Sequence, residues 1–263
     1  MTTLHSSQTL NSSGHLFNGV LSGLSAVTVL QPGYTLQTYL STGKGLPPLN
    51  TLYRGFAANA TCDVSGSALT FLFYGVLSRS MAKGGESHSK EKEAGIGLVA
   101  GAGASPAMAA CERVMILQQI HGGSIAQTVR KIIAHEGNLG LIKGTVPTIA
   151  REALCGAALF GISDMLAGQI KQVFPSDNAS KIAGSFVTGS FVGAITTPCN
   201  NIKTVLQEEI GASSALKIGK QLMNQKRLFA GVVPRSILIG SLMVILGQVK
   251  ETMPSYYPDS LHE

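Results

Sequence analysis

Charge is what this chain has least of. Asp, Glu, Lys and Arg make up 13% of its 263 residues, about half of the ~25% found in soluble domains, while the apolar share is ordinary. A water-soluble body of this size needs a more charged surface, so a soluble globular domain is excluded. The four cysteines, Cys62, Cys111, Cys155 and Cys199, are isolated. Without a CxxC pair they form neither a disulfide framework nor a zinc site. The opening MTTLHSSQTLNSSG has no basic start followed by an apolar run, as a secretory signal would, and no arginine, as a transit peptide would. No GxxxxGK[ST] loop occurs, and Gly43-Lys44-Gly45 sits in a proline-rich turn. His5, His15, His88, His121, His135 and His262 fall in tails and loops, and no Ser/His/Asp grouping forms. The reading is therefore a non-enzyme with no cofactor and no metal.

What takes the place of charge is Gly, Ser, Thr and Ala, arranged in long uncharged runs. Six of them approach or exceed the ~20 residues that cross a bilayer. They are Leu16–Gly43, Ala57–Ser78 (with Asp63), Ala94–Cys111, Ala153–Gln169 (with Asp164), Ile182–Ile202 and Leu228–Val249 (with Arg235). The expected fold class is an all-α polytopic membrane protein. The formal net charge of +6 lies mostly in loops, at residues such as Lys83, Lys90, Lys92, Arg130, Lys131, Lys217 and Lys220. In a membrane protein this balance fits anionic lipid headgroups or an anionic solute better than nucleic acid.

Internal repeats set the architecture. Thirteen and nine residues before Pro32 stand Gly19 and Gly23; before Pro198 stand Ser185 and Gly189; before Ala110 stand Gly97 and Gly101. Each copy thus carries a small-xxx-small face that lets helix backbones approach closely in lipid. A second shared element follows each anchor: LYRG at 52–55, LIKG at 141–144 and LFAG at 228–231. Their glycines Gly55, Gly144 and Gly231 lie about 88 residues apart. Three two-helix repeats give six transmembrane helices with pseudo-threefold symmetry.

These motifs, from about Leu16 to Lys250, resemble the mitochondrial carrier family. Its repeat reads proline, any residue, acid, two residues, base, and then an aromatic-basic-glycine element. LYRGFAANATCDVSGSALTFLF and GLIKGTVPTIAREALCGAALFGISD are similar to the second and fourth helices of ADP/ATP carriers, whereas LFAGVVPR is closer to S-adenosylmethionine carriers. The resemblance implies a monomer with a central cavity, opened alternately to the two sides of the mitochondrial inner membrane. It also implies contact with anionic lipid such as cardiolipin.

In that family the acid and base of each repeat pair between the odd helices and close the matrix side. Here those positions hold Tyr34 and Gln37, Glu112 and Met115, and Asn200 and Lys203. One acid and one base survive, on adjacent helices, so Glu112–Lys203 is expected to act as a latch. Asn200 and Gln37 are expected to add a neutral hydrogen bond. The family's bracing glutamine is present as Gln119 and Gln207 and replaced by Ser41 in the first repeat. Pro32 and Pro198 are read as helix kinks.

The substrate reading rests on the even helices. Seven and eight residues after the repeat glycines come Cys62–Asp63, Arg151–Glu152 and Leu238–Ile239, with Arg235 one turn from Leu238. Arg151, Glu152, Arg235, Asp63 and Cys62 are the candidate substrate-binding residues. Arg151, Arg235, Lys203 and Arg54 offer charge-assisted bonds to phosphates. Arg151–Glu152 departs from the pattern of nucleotide carriers, and it has the competing reading of a self-satisfied pair within one helix. The expected function is alternating-access transport of an adenine nucleotide such as ATP or ADP. S-adenosylmethionine or an amino acid is the alternative, so the solute is a small anionic or zwitterionic metabolite. A non-transporting membrane adaptor is the alternative of another class.

The expected organisation is an N-terminal tail (1–13), repeat one (14–82), a flexible linker KGGESHSKEKE (83–93), repeat two (94–174), repeat three (175–250) and a C-terminal tail (251–263). Repeat one is short between anchor and glycine, so its small matrix-side helix is expected to be truncated. The acid-tipped tail ETMPSYYPDSLHE resembles export signals of bacterial type IV effectors, which would place the protein in a host cell's mitochondria.

Overall fold

The computed structural model describes residues 10–81, 89–173, 176–211, 214–258 and 260. Among these residues every element of regular secondary structure is a helix. Three long helices open the repeats: α1 (Ser12–Thr42), α3 (Lys90–His121) and α7 (Asp177–Glu208). They are answered by α2 (Phe56–Met81), by the broken pair α5 (Thr145–Ala157) and α6 (Ser163–Ile170), and by α9 (Val232–Thr252). Two short helices, α4 (Ile125–Glu136) and α8 (Ala215–Asn224), lie between them in repeats two and three. In repeat one the corresponding segment is a single 3₁₀ turn, Leu49–Thr51.

Five of the six spans are long and apolar enough to cross a membrane. The first, α1, is long enough at 31 residues and holds no Asp, Glu, Lys or Arg, with Gly, Ser, Thr and Gln interleaved among its apolar side chains.

The small-residue faces bring each odd helix onto its even partner. A side chain added at Gly23 would run into the Asp63 carbonyl of α2, at Gly101 into the Glu152 carbonyl of α5, and at Gly189 into the Ile239 carbonyl of α9. Backbones in such contact leave no room for a Cβ, and this is how helices associate where lipid supplies no hydrophobic drive.

The repeat glycines have a separate reason. Gly55, Gly144 and Gly231 take φ of 76°, 88° and 71°, a left-handed conformation that L side chains resist. Each then seats on a different repeat: Gly55 on Gln119, Gly144 on Gln207, and Gly231 on Gln37 and Leu40. This cyclic relation is the pseudo-threefold expressed in contacts. The amphipathic helices close the same end. Ile132 of α4 packs among Ile116, Leu117 and Met115, and Ile218 and Leu222 of α8 pack on Leu206.

Two expectations about segment boundaries change. The stretch from Lys90 to Glu93, read as flexible linker, already belongs to α3, capped by the Ser89 hydroxyl; the linker residues 83–88 lie outside the described residues. The C-terminal tail does not start free at residue 251: α9 continues to Thr252, and the Tyr257 hydroxyl donates to Asn18 Oδ1 at 3.2 Å. The acid tip read as an export signal, residues 259 and 261–263, lies outside the described residues, as do residues 1–9 of the N-terminal tail.

Candidate functional site

Prolines set the course of the odd helices toward the centre. Pro32 and Pro198 lie inside α1 and α7. Helix α3 has its own interior proline, Pro106, one turn before the Ala110 that stands at the repeat anchor. Each removes a backbone hydrogen bond from its helix. Pro106 escaped the repeat alignment because it is out of register by four residues.

All six helices leave a central cavity of about 120 Å³. Its wall holds three acids, Asp63, Glu112 and Glu152, and three bases, Arg151, Lys203 and Arg235, beside Cys62, Tyr34, Gln37, Asn200, Leu238 and Ile239. Most residues singled out from the sequence therefore converge here. Arg54 does not: its guanidinium lies against Gly122 at the C-terminal end of α3. Asn59 bonds Gln31 Oε1 at 2.7 Å, tying α2 to α1.

Toward the end where α4 and α8 lie, Glu112 of α3 meets Lys203 of α7 at 2.8 Å. The same carboxylate oxygen takes Arg151 Nη2 of α5 at 2.5 Å. Arg151 also pairs with its neighbour Glu152. The three side chains are 6%, 3% and 12% exposed, so the cluster is an ion triad shielded from water. The intrahelical Arg151–Glu152 pair is present, both residues line the cavity, and Arg151 joins the α3–α7 contact as well.

The expected bond between Asn200 and Gln37 is not made. Gln37 Nε2 donates to Ser41 on its own helix at 3.1 Å, and Asn200 Oδ1 faces Arg151 at 3.4 Å. The α1–α7 seam is held further along, where Ser41 Oγ donates to Asn201 Oδ1 at 2.7 Å and Lys44 pairs with Glu208 at 2.6 Å. The α1–α3 seam is held by Thr38 Oγ1 donating to Gln119 Oε1 at 2.6 Å. Gln207 Nε2 donates to the Ala109 and Lys143 carbonyls, joining α7 to α3 and to the start of α5. Below this ring, fully buried Arg113 grips both Glu136 carboxylate oxygens and the Gln207 and Glu209 carbonyls. That grip, with the Gly211 amide, holds the Glu136 carboxyl down at about 2.

At the opposite end the cavity is bordered by apolar side chains from the even helices. Phe71, Phe160, Ile239, Met243 and Leu246 form one buried cluster. Phe160 rides on a π-helical turn, Ala158–Ile162, that separates α5 from α6. The turn carries its ring onto Tyr74 at 3.8 Å, stacked within 9°, and edge-on to Phe71 at 5.1 Å. Lys250 of α9 reaches Asp164 of α6 at 3.4 Å on the same side. Nothing in the repeat pattern announces this aromatic cluster, because a π-turn has no sequence period.

A bundle of membrane-length helices around a charged cavity is the build expected of a membrane transporter. Comparison with known proteins narrows the class. Residues 89–173 match the family model described as mitochondrial carrier protein. The chain is 28% identical to S-adenosylmethionine carrier 1, chloroplastic/mitochondrial, of Arabidopsis thaliana, over 94% of this chain and 82% of that one. It is 27% identical to mitochondrial substrate carrier family protein X of Dictyostelium discoideum, over 78% of this chain and 72% of that one. It is 22% identical to the probable mitochondrial adenine nucleotide transporter BTL2 of Arabidopsis thaliana, over 94% of this chain and 67% of that one. The match to the carrier model thus covers the second repeat, and along most of its length the chain is similar to proteins named as mitochondrial carriers.

Proposed function

We propose that the protein carries a small metabolite bearing charges of both signs, of the S-adenosylmethionine kind, by alternating access across the mitochondrial inner membrane. The observation that carries this reading is the balance of the cavity wall: three acids against three bases, with Arg151 and Lys203 already bound to Glu112 and Glu152. A nucleoside triphosphate brings about four negative charges and needs a surplus of cations, as charge-assisted phosphate binding requires. Only Arg235 remains to serve it here, and Asp63 opposes it. The similarity to a carrier named for S-adenosylmethionine, 28% identical over 94% of this chain, supports the same choice over adenine nucleotide.

In this mechanism the triad Glu112–Lys203–Arg151 is the latch of the matrix side. Paired, its charges tolerate a dry site; parted, they must be wetted, so the closed and open states are both accessible and nothing between is stable. The aromatic stack of Phe160, Tyr74 and Phe71 closes the other side. Uptake of labelled S-adenosylmethionine and of ATP into liposomes holding the purified protein tests the reading. S-adenosylmethionine is expected to enter, faster with substrate inside. Uptake of ATP alone would overturn it.

A further inference from the structure

Two charged side chains in the cavity are left over once its ion pairs are assigned. Among the described residues, no acid lies within ion-pair distance of Arg235 and no base within that distance of Asp63. Arg235 is 3% exposed, its Nε is buried without a hydrogen-bond partner, and its side chain makes a single long bond, Nη2 to Thr196 Oγ1 at 3.4 Å. Asp63 has one carboxylate oxygen equally buried and unpartnered, with the neutral Tyr34 hydroxyl beside the group. Both line the same cavity. A buried charge without a counter-charge is strongly disfavoured, and a protein that keeps two of opposite sign in one cavity presents a site for something that carries both.

We propose that Arg235 and Asp63 are the two poles of the substrate site. Arg235 takes a carboxylate, for which its planar fork is suited, and Asp63 takes a cationic group of the same molecule. This rests on the zwitterion reading above and adds which residue holds which end. The poles stand on α9 and α2, the even helices of repeats three and one, and both helices pack against α1. That is the flank of the bundle where the latch has no ion pair, since Gln37 turns back to Ser41. A zwitterion spanning the poles therefore ties repeat three to repeat one electrostatically, a link that the cavity's own side chains do not make. Arg151 is left to the latch and is not a pole.

The test uses the full-length protein, with S-adenosylmethionine, its decarboxylated form and ATP as probes of binding. Wild type is expected to prefer the intact molecule over the decarboxylated one by about tenfold or more, the size of a hydrogen-bonded charge contact. Arg235→Gln should erase that preference by weakening the intact molecule alone. Equal weakening of both would mean that Arg235 is only structural. Asp63→Asn should weaken S-adenosylmethionine by about tenfold and leave ATP no weaker; a matching loss for ATP would overturn its role. The melting temperature without ligand decides the poles whatever the substrate is. Each neutral substitution removes an uncompensated buried charge and should raise it, and a fall would refute that pole. Wild type that binds ATP and neither S-adenosylmethionine form overturns the substrate reading, and the ligand-free melting then judges the two residues separately.

Discussion

Exchanging the charges of the latch should make Arg151 change sides. Glu112 Oε1 accepts from Lys203 Nζ at 2.8 Å and from Arg151 Nη2 at 2.5 Å, in a site that water barely reaches. Removing the shared acid leaves two cations facing each other, and breaking a buried pair in this way costs about 3–5 kcal/mol. At about 1.4 kcal/mol per factor of ten, Glu112→Gln should loosen the closure proposed at the α4 and α8 end by about two to three and a half orders of magnitude. Arg151→Gln in the wild type removes one of two partners and should open it by about tenfold. In the double exchange Glu112→Lys with Lys203→Glu, the α3–α7 pair is restored but Arg151 now faces a lysine. The exchange alone should therefore recover only part of the closure. Adding Arg151→Gln should recover more, because it removes the repulsion and frees Glu152 to receive the new lysine. One substitution thus loosens the latch in one background and tightens it in the other.

The readout is the rate at which Cys62 reacts with a membrane-impermeant thiol reagent supplied from the α4 and α8 face. Cys62 lines the cavity and is buried, and Cys111, Cys155 and Cys199 are replaced by serine. If Arg151→Gln shifts the rate in the same direction in both backgrounds, or if the exchange alone restores wild-type protection, Arg151 has no share in the latch.

The other expectations concern packing and pH. Gly101→Ala drives a methyl into the Glu152 carbonyl and should cost about 1–3 kcal/mol by overpacking, seen as a lower melting temperature; Gly168→Ala, with open space around it, should not. Phe160→Ala removes the ring that Tyr74 and Phe71 hold and should cost about 3 kcal/mol, with faster Cys62 labelling from the face opposite α4 and α8. Unchanged labelling from that face would exclude the stack as a closure. The Glu136 carboxyl is held down at about 2 against an ordinary 4.5, so its contribution is whole above the ordinary value and fades as pH falls from about 4.5 toward about 2. Melting temperature followed over that range should drop, and Glu136→Gln should start lower and lose that part of the slope.

The sequence makes positions legible and leaves reach hidden. Helices repeat, so the glycines at 19, 23, 97, 101 and 189 and the turn glycines at 55, 144 and 231 announce both the bundle and its threefold order. Glu112 and Lys203 follow from the same register, because each is fixed by where its helix passes the axis. Arg151 does not. Its number places it on α5 at cavity depth, but a side chain with four rotatable bonds chooses among Glu152, Asn200 and Glu112 by the charges around it. Gln37 fails for the converse reason: its position is right for Asn200, yet Ser41 one turn on is nearer. Pro106 and the π-turn at 158–162 break the repeat's own spacing and so leave no trace in it.

The three worn latch positions are not three gaps. Each seam between odd helices is closed by something: a shielded triad between α3 and α7, one hydroxyl–amide bond between α1 and α3, and a hydroxyl–amide bond with a half-exposed ion pair between α1 and α7. These are unequal. A neutral hydrogen bond contributes about 1 kcal/mol and an exposed ion pair about as much or less, whereas parting the triad means wetting three charges. Both weak seams belong to α1, the one long helix of the described residues with no Asp, Glu, Lys or Arg. Under the proposed mechanism, the end bearing α4 and α8 opens by a departure of α1 from a stiffer α3–α7 pair rather than as a symmetric iris. A substrate whose poles sit on α2 and α9, on either flank of α1, is placed where it can control that departure.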